Sequence, residues 1–166
     1  MHNHFKPYAI LAETRLPQAT DAPFGNSHLK LGTWSLLKGG TGPNTESQLE
    51  MLIGEKVCLG PILLPDAPII FSWRNTVSLM HLNGQYLPVS QRSFDEWFNH
   101  IGKDLSSVVF AIRKQGNLAL LGYIQVTDIN PIFHTGVLGI IIGDALNRGK
   151  GYGQEALRLC IGFCWD

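Results

Sequence analysis

The chain has 166 residues, with 13 Lys+Arg against 13 Asp+Glu and 45% hydrophobic residues. That length suits one ordinary domain, or a smaller domain with a tail. The balanced charge excludes a protein that holds nucleic acid through a general basic field, and the apolar content excludes a disordered chain.

Residues 1–54 read as a loose N-terminal segment. "MHNHFKPYAILAETRLPQATDAPFGNSH" carries Pro7, Pro17 and Pro23 without a sustained period, and "LKGGTGPNTESQ" adds three glycines and a further proline. Only "HLKLGTWSLL" offers a strand. His2 and His4 at a chain terminus are incidental rather than ligands, so no metal is expected. "YAILA" is too short for a secretory leader, and no stretch approaches the roughly 18 apolar residues of a membrane span. The expectation is a cytoplasmic protein with neither membrane nor nucleic acid as partner.

Order is expected from residue 55. "EKVCLGPIL" reads as a short strand and turn. "LPDAPIIFSWRN" reads as a helix with Asp66 near its start and Ile69, Ile70 and Trp73 inward. "NGQYLPVS" is a loop. In "SQRSFDEWFNHIGKD", Phe94, Trp97, Phe98 and Ile101 recur at helical steps, with Ser90 or Ser93 as cap. "SVVFAIRK", the turn "QGN" and "LALLGYIQVTD" make a hairpin. "INPIFH" then turns into "TGVLGIIIGD". Three successive isoleucines there predict a strand covered on both faces, hence a central one. "GQEALRLCIGFCWD" is a mostly buried helix, carrying Cys160 and Cys164 as reduced thiols, like Cys58. The fold class is mixed α/β (α+β), a mostly antiparallel sheet flanked by helices.

The turn before that last helix, "NRGKGYG", alternates glycines at 149, 151 and 153 with Arg148 and Lys150 nearby. A strand, a glycine turn and a helix start form an anion site: the first helical N–H groups lack internal partners and carry the positive end of the dipole. Glycines allow positive φ and close approach, so successive N–H groups can form a nest around phosphate. The mononucleotide loop G-x-x-x-x-G-K-[ST] does not fit. Five residues separate Gly143 from Gly149, and Gly151 follows the lysine. The dinucleotide pattern fails on spacing and on its missing acid.

Arg148-x-x-Gly151-x-Gly153 matches [QR]-x-x-G-x-[GA], and residues 55–166 resemble the GCN5-related N-acetyltransferase (GNAT) superfamily. The likeness is to the branch of ribosomal-protein N-terminal and amino-sugar acetyltransferases, through "VLGIIIGD" and "ALNRGKGYGQEAL". The resemblance implies an acyl-CoA N-acyltransferase-like fold and acetyl-CoA as cosubstrate. The pantetheine arm would pair with Leu138, Gly139, Ile140, Ile141 and Ile142. The pyrophosphate would sit on Arg148, Gly149, Lys150, Gly151, Tyr152 and Gly153, mainly on backbone N–H groups. It also implies direct attack of an amine on the thioester, with an oxyanion donor near Ile140 or Ile141. Many relatives carry a glutamate on this strand; here Asp128 and His134 are the substitutes for the base. Asn83 and Tyr86, with "WRN" at residues 73–75, fall where the family's acceptor loop lies, so the partner would be a small-molecule or protein N-terminal amine.

The family continues past this helix with a strand, a helix and two more strands, and this sequence ends before them. The resemblance therefore implies a partial domain whose last helix keeps an uncovered apolar face, open to self-association or a partner. Two functions follow: an acetyl-CoA-dependent N-acetyltransferase, or a truncated, inactive relative that only binds coenzyme A or a protein partner.

Overall fold

A computed structural model describes residues 30–36, 47–82 and 87–165. Six strands form one sheet in sequence order: β1 (Lys30–Leu36), β2 (Ser47–Ile53), β3 (Val57–Gly60), β4 (Val108–Lys114), β5 (Leu120–Asn130) and β6 (Thr135–Ile142). Every neighbouring pair is antiparallel. The helices are α1 (Ala67–Arg74), α2 (Val77–Leu82), α3 (Gln91–His100) and α4 (Tyr152–Trp165). This is the expected mixed α/β layout.

Alternation along the strands sorts side chains onto two faces. One face packs against α4, with Val57, Leu59, Ile112, Ile124, Ala156 and Cys160 fully buried. The other packs against α1, α2 and α3 through Ile70, Trp73, Leu79, Phe94, Tyr123 and Ile141. Each large side chain so buried stabilises the fold by roughly 1.5–3 kcal/mol. α3 starts where expected because the Ser90 hydroxyl accepts from the Ser93 N–H at 3.1 Å.

The β4–β5 hairpin turns through Gly116, at φ 95°. Beyond it the pairs Ile112↔Gly122 and Arg113↔Leu120 leave Leu121 as an extra residue. This bulge lets Leu120 face the α3 side and Leu121 the α4 side. Across the sheet, Arg113 donates to Asp66 at 2.5 Å, with the two side chains 8% and 10% exposed. The same carboxylate oxygen accepts from the Leu63 N–H at 2.7 Å. The pair ties the start of α1 to β4.

Three expectations are corrected. The sheet reaches upstream of residue 55: "HLKLGTWSLL" does supply β1, and β2 joins it in a seven-residue register. β2 had no legible signal because it follows a Gly/Pro-rich stretch, yet Met51 and Leu52 are buried. Ile69 points outward, 45% exposed, because α1 turns Ile70 and Trp73 into the core, with Ala67 and Phe71 packed beside them. Among the described residues β6 is an edge strand, paired only with β5. Its isoleucines are covered on both faces, Ile140 and Ile142 by α4 and Ile141 on the α1–α3 side. Coverage of both faces does not require a neighbour on both edges.

Candidate active site

β6 ends against α1. A Cβ on Gly143 would lie 1.9 Å from Cε2 of Trp73, so only glycine lets the indole pack on the strand end. The chain then makes one short 3-10 turn over Ala145–Asn147, started by the Asp144 carboxylate, which accepts from the Leu146 N–H at 2.8 Å. Arg148 folds back over this turn. Its Nε donates to the Ile142 carbonyl at 3.1 Å and its Nη2 to the Gly143 carbonyl at 2.8 Å. Its side chain therefore anchors the end of β6 rather than reaching outward.

Gly149 and Gly151 adopt φ 72° and 84°, a region that side chains other than glycine enter at a cost. α4 follows, with the Glu155 N–H bonded to the Gly151 carbonyl at 3.0 Å. None of the backbone N–H groups of residues 149–154 donates a hydrogen bond among the described residues. Consecutive unpartnered donors at a helix start are the kind of arrangement that can accept an anion. Lys150 is exposed; Tyr152 and Gly153 are half-buried. A Cβ on Gly153 would meet only Ile140 and Ile142, at 3.6 and 3.7 Å, which is ordinary contact. Packing thus requires glycine at 143 but not at 153.

Two further residues complete the turn. The Lys56 ammonium donates to the Lys150 carbonyl at 3.3 Å. The Glu155 carboxylate, in the first turn of α4, accepts from the backbone N–H groups of Glu55 and Lys56, the latter at 3.0 and 3.1 Å. The β2–β3 turn is thereby clamped to the start of α4. Neither residue was singled out from the sequence: Lys56 lies 94 positions from its partner, and no local pattern marks it.

Among the described residues, Leu138, Gly139, Ile140, Ile141 and Ile142 lie on the open edge of the sheet, where alternate backbone N–H and C=O groups have no strand to pair with. These residues and the glycine turn are contiguous. Asp128 and His134 are not brought to them. Both are exposed, at φ 52° and 50°, in the irregular turn where the β5–β6 register shifts between Thr127 and Asn130. His134 stands six residues from Ile140, about 20 Å along the strand. Asn130 shapes this turn by accepting from the Ile132 and Phe133 N–H groups, both at 3.0 Å. Asn83 and Tyr86 lie outside the described residues.

Of "WRN", Trp73 is core. Asn75 is a bracket, donating to the Phe71 and Val89 carbonyls and accepting from the Val89 N–H. Arg74 stacks over Trp97, 4.5 Å from its centroid, and its buried Nη1 has no acceptor among the described residues. Among the described residues no group of three or more His, Cys, Asp or Glu side chains is placed to hold a metal ion. No helix there is long and apolar enough to cross a membrane.

Residues 56–166 match the acetyltransferase (GNAT) domain. The chain belongs to the GNAT acetyltransferase family. Solved GNAT-fold structures resemble it at low identity. One is spermidine N-acetyltransferase from Vibrio cholerae, solved with CoA and spermine: TM-score 0.56, 21% identity, covering 65% of this chain and 63% of that one. A second is the ribosomal L7/L12 α-N-protein acetyltransferase RimL: TM-score 0.55, 16% identity, covering 75% and 69%. A third is an acetyltransferase from Agrobacterium tumefaciens: TM-score 0.52, 21% identity, covering 64% and 61%. The GNAT chain thus spans less than two thirds of the first and third of these relatives. No curated protein matches it significantly. At these identities the structures establish the fold.

Proposed function

We propose that the protein is an acetyl-CoA-dependent N-acetyltransferase that transfers an acetyl group to an amine. The observation that carries the proposal is the run of unpartnered N–H groups at residues 149–154, between the end of β6 and the start of α4. Their donors would bind the pyrophosphate, with positive-φ Gly149 and Gly151 shaping the cradle and Lys150 adding charge. The unpaired edge of β6, from Leu138 to Ile142, would take the amide groups of the pantetheine arm as an added strand takes its neighbour. Tyr152 and Gly153 would flank the phosphates at the helix start.

Acetyl-CoA supplies an activated acyl thioester. The protein holds that thioester beside the acceptor amine and offers a backbone N–H near Ile140 or Ile141 to the carbonyl oxygen. The amine nitrogen bonds to the acyl carbon, the carbon–sulfur bond breaks, and the coenzyme leaves as thiol after taking up the proton that the amine gives up. Asp128 and His134, at the far turn, are proposed to shape the hairpin; proton removal from the ammonium falls to solvent at the open edge. The inactive-relative alternative has no observation in its favour.

Both a polyamine and a protein N-terminus are acceptors among the structural relatives, as their names state. The test is turnover of acetyl-CoA against an amine panel, alongside Gly151→Val. A β-branched residue at φ 84° cannot keep the cradle, so coenzyme binding and turnover should be lost together. Unchanged coenzyme affinity in that variant would remove the cradle from the account.

A further inference from the structure

Glu155 stands in the first turn of α4, and two routes join it to the glycine turn. Its own N–H donates to the Gly151 carbonyl at 3.0 Å, an ordinary helical bond. Its carboxylate takes the second route, across to the β2–β3 turn. Both carboxylate oxygens accept from the Lys56 N–H, at 3.0 and 3.1 Å, and one of them also accepts from the Glu55 N–H. The Lys56 ammonium then donates to the Lys150 carbonyl at 3.3 Å. That carbonyl belongs to the peptide that carries the Gly151 N–H. Glu155, Lys56 and the glycine turn thus close a ring.

The β2–β3 turn is shaped to receive this carboxylate. The Gly54 N–H bonds to the Val57 carbonyl at 2.9 Å, which folds the turn tightly. A Cβ on Gly54 would run into the Glu155 carboxylate, so glycine makes the room for it. The Lys56 carbonyl accepts from the Gln115 N–H at 2.9 Å, so the Lys56 backbone is held on two sides. Glu155 is half-buried and Lys56 is exposed. A lysine side chain is long and flexible, so the placing of its ammonium depends on how firmly its backbone is held.

A carboxylate beside the proposed phosphate site is unfavourable on charge alone. One whose oxygens are filled by the N–H groups of a distant turn acts instead as an anchor. We propose that Glu155 is a positioning residue for the coenzyme: seated on the β2–β3 turn, it fixes Lys56, and Lys56 fixes the 150–151 peptide for the pyrophosphate. This deepens the acetyl-transfer reading and rests on it.

The test is calorimetric titration of the full chain with acetyl-CoA, well below the melting temperature of each variant. Glu155→Ala removes a negative charge, so a bystander carboxylate predicts tighter binding. The proposal predicts the opposite sign, a Kd about tenfold higher. Glu155→Gln keeps an acceptor oxygen for the turn without the charge, and should bind within about threefold of the wild type. Because Glu155 acts through Lys56, adding Glu155→Ala to Lys56→Met should raise Kd by no more than about threefold further, whereas independent losses would add in full. Should Glu155→Ala fail to melt cooperatively, Gly54→Ala takes its place: it displaces the carboxylate, leaves its charge and should weaken binding likewise. Unchanged or tighter binding in the variant used, equal losses in Glu155→Ala and Glu155→Gln, or a full further loss in the double variant overturns the assignment while leaving acetyl transfer standing. Failure of the wild type to bind acetyl-CoA overturns both.

Discussion

The Lys56 ammonium donates to the Lys150 carbonyl at 3.3 Å, and the next N–H along the same peptide belongs to Gly151. In a trans peptide the C=O and N–H point in opposite directions. Lys56 therefore holds the peptide from behind and aims the Gly151 N–H away from itself, toward the side where we propose the pyrophosphate binds. Replacing Lys56 by Met should raise the Kd for acetyl-CoA about tenfold, the scale of one charge-assisted hydrogen bond. The side chain is exposed, so stability should move by no more than about 0.5 kcal/mol. Calorimetric titration with a paired melting curve separates the two effects; an unchanged Kd would deny Lys56 this role.

Gly143 and Gly153 make a controlled contrast. A methyl group at 143 would enter the Trp73 ring at 1.9 Å, whereas one at 153 has ordinary contacts at 3.6 and 3.7 Å. Gly143→Ala should destabilise the protein by about 1–3 kcal/mol or more. Gly153→Ala, in the first turn of α4, should be neutral or gain up to about 1 kcal/mol from helix propensity. Urea denaturation of the two variants checks the order, and equal stabilities would contradict the Trp73 packing.

The Asp66–Arg113 pair is nearly excluded from water. Asp66→Leu or Arg113→Met alone leaves a buried partner uncompensated and should cost roughly 3–5 kcal/mol. The double change Asp66→Leu with Arg113→Met should recover much of that loss, since a well-packed apolar pair removes both charges. A double-mutant cycle in urea reads the coupling; additive losses would show that the pair is not coupled.

Burial pushes the Cys58 thiol above its ordinary 9.0, against a smaller downward pull from Arg113, and raises Tyr123 above 10.0. Both groups keep their protons longer in the folded chain than in the unfolded one. Their contribution is complete below pH 9 and is lost as pH climbs beyond it, because the unfolded state then binds fewer protons. Stability should fall above pH 9, by at most about 1.4 kcal/mol per unit for each group, and less steeply in Cys58→Ala. Denaturation midpoints between pH 8 and 11 test the sign; an alkaline rise would refute it.

A hydrogen bond between Cys160 and Cys164 raises the first thiol and lowers the second, while burial opposes ionisation of both. Cys164 is half-buried; Cys58 and Cys160 are fully buried. A thiol reagent applied to the native protein should label Cys164 first. Mass spectrometry of the labelled peptides gives the order, and early labelling of Cys58 would show that the β3 core opens readily.

The elements from residue 55 onward were legible because their periods are strong: Phe94, Trp97 and Phe98 on α3, the β4–β5 hairpin, and the glycine turn before α4. β2 was hidden because "SQLEMLI" follows a Gly/Pro-rich stretch and owes its strand form to pairing with β1 and β3. The edge position of β6 was hidden because burial on two faces leaves the same apolar run as a central strand. At the site, the turn before α4 was legible from its glycines, two of which take positive φ. Lys56, Glu155 and the inward fold of Arg148 were not, since each depends on contacts made by the tertiary structure. Arg74 was visible only as part of "WRN"; its stacking and its unpartnered N–H appear only in three dimensions.

The most direct test is calorimetric titration of the 166-residue chain with acetyl-CoA, beside Gly151→Val. The account predicts saturable one-site binding that raises the melting temperature of the wild type and is absent in the variant. A chain that melts cooperatively yet binds no acetyl-CoA would contradict it.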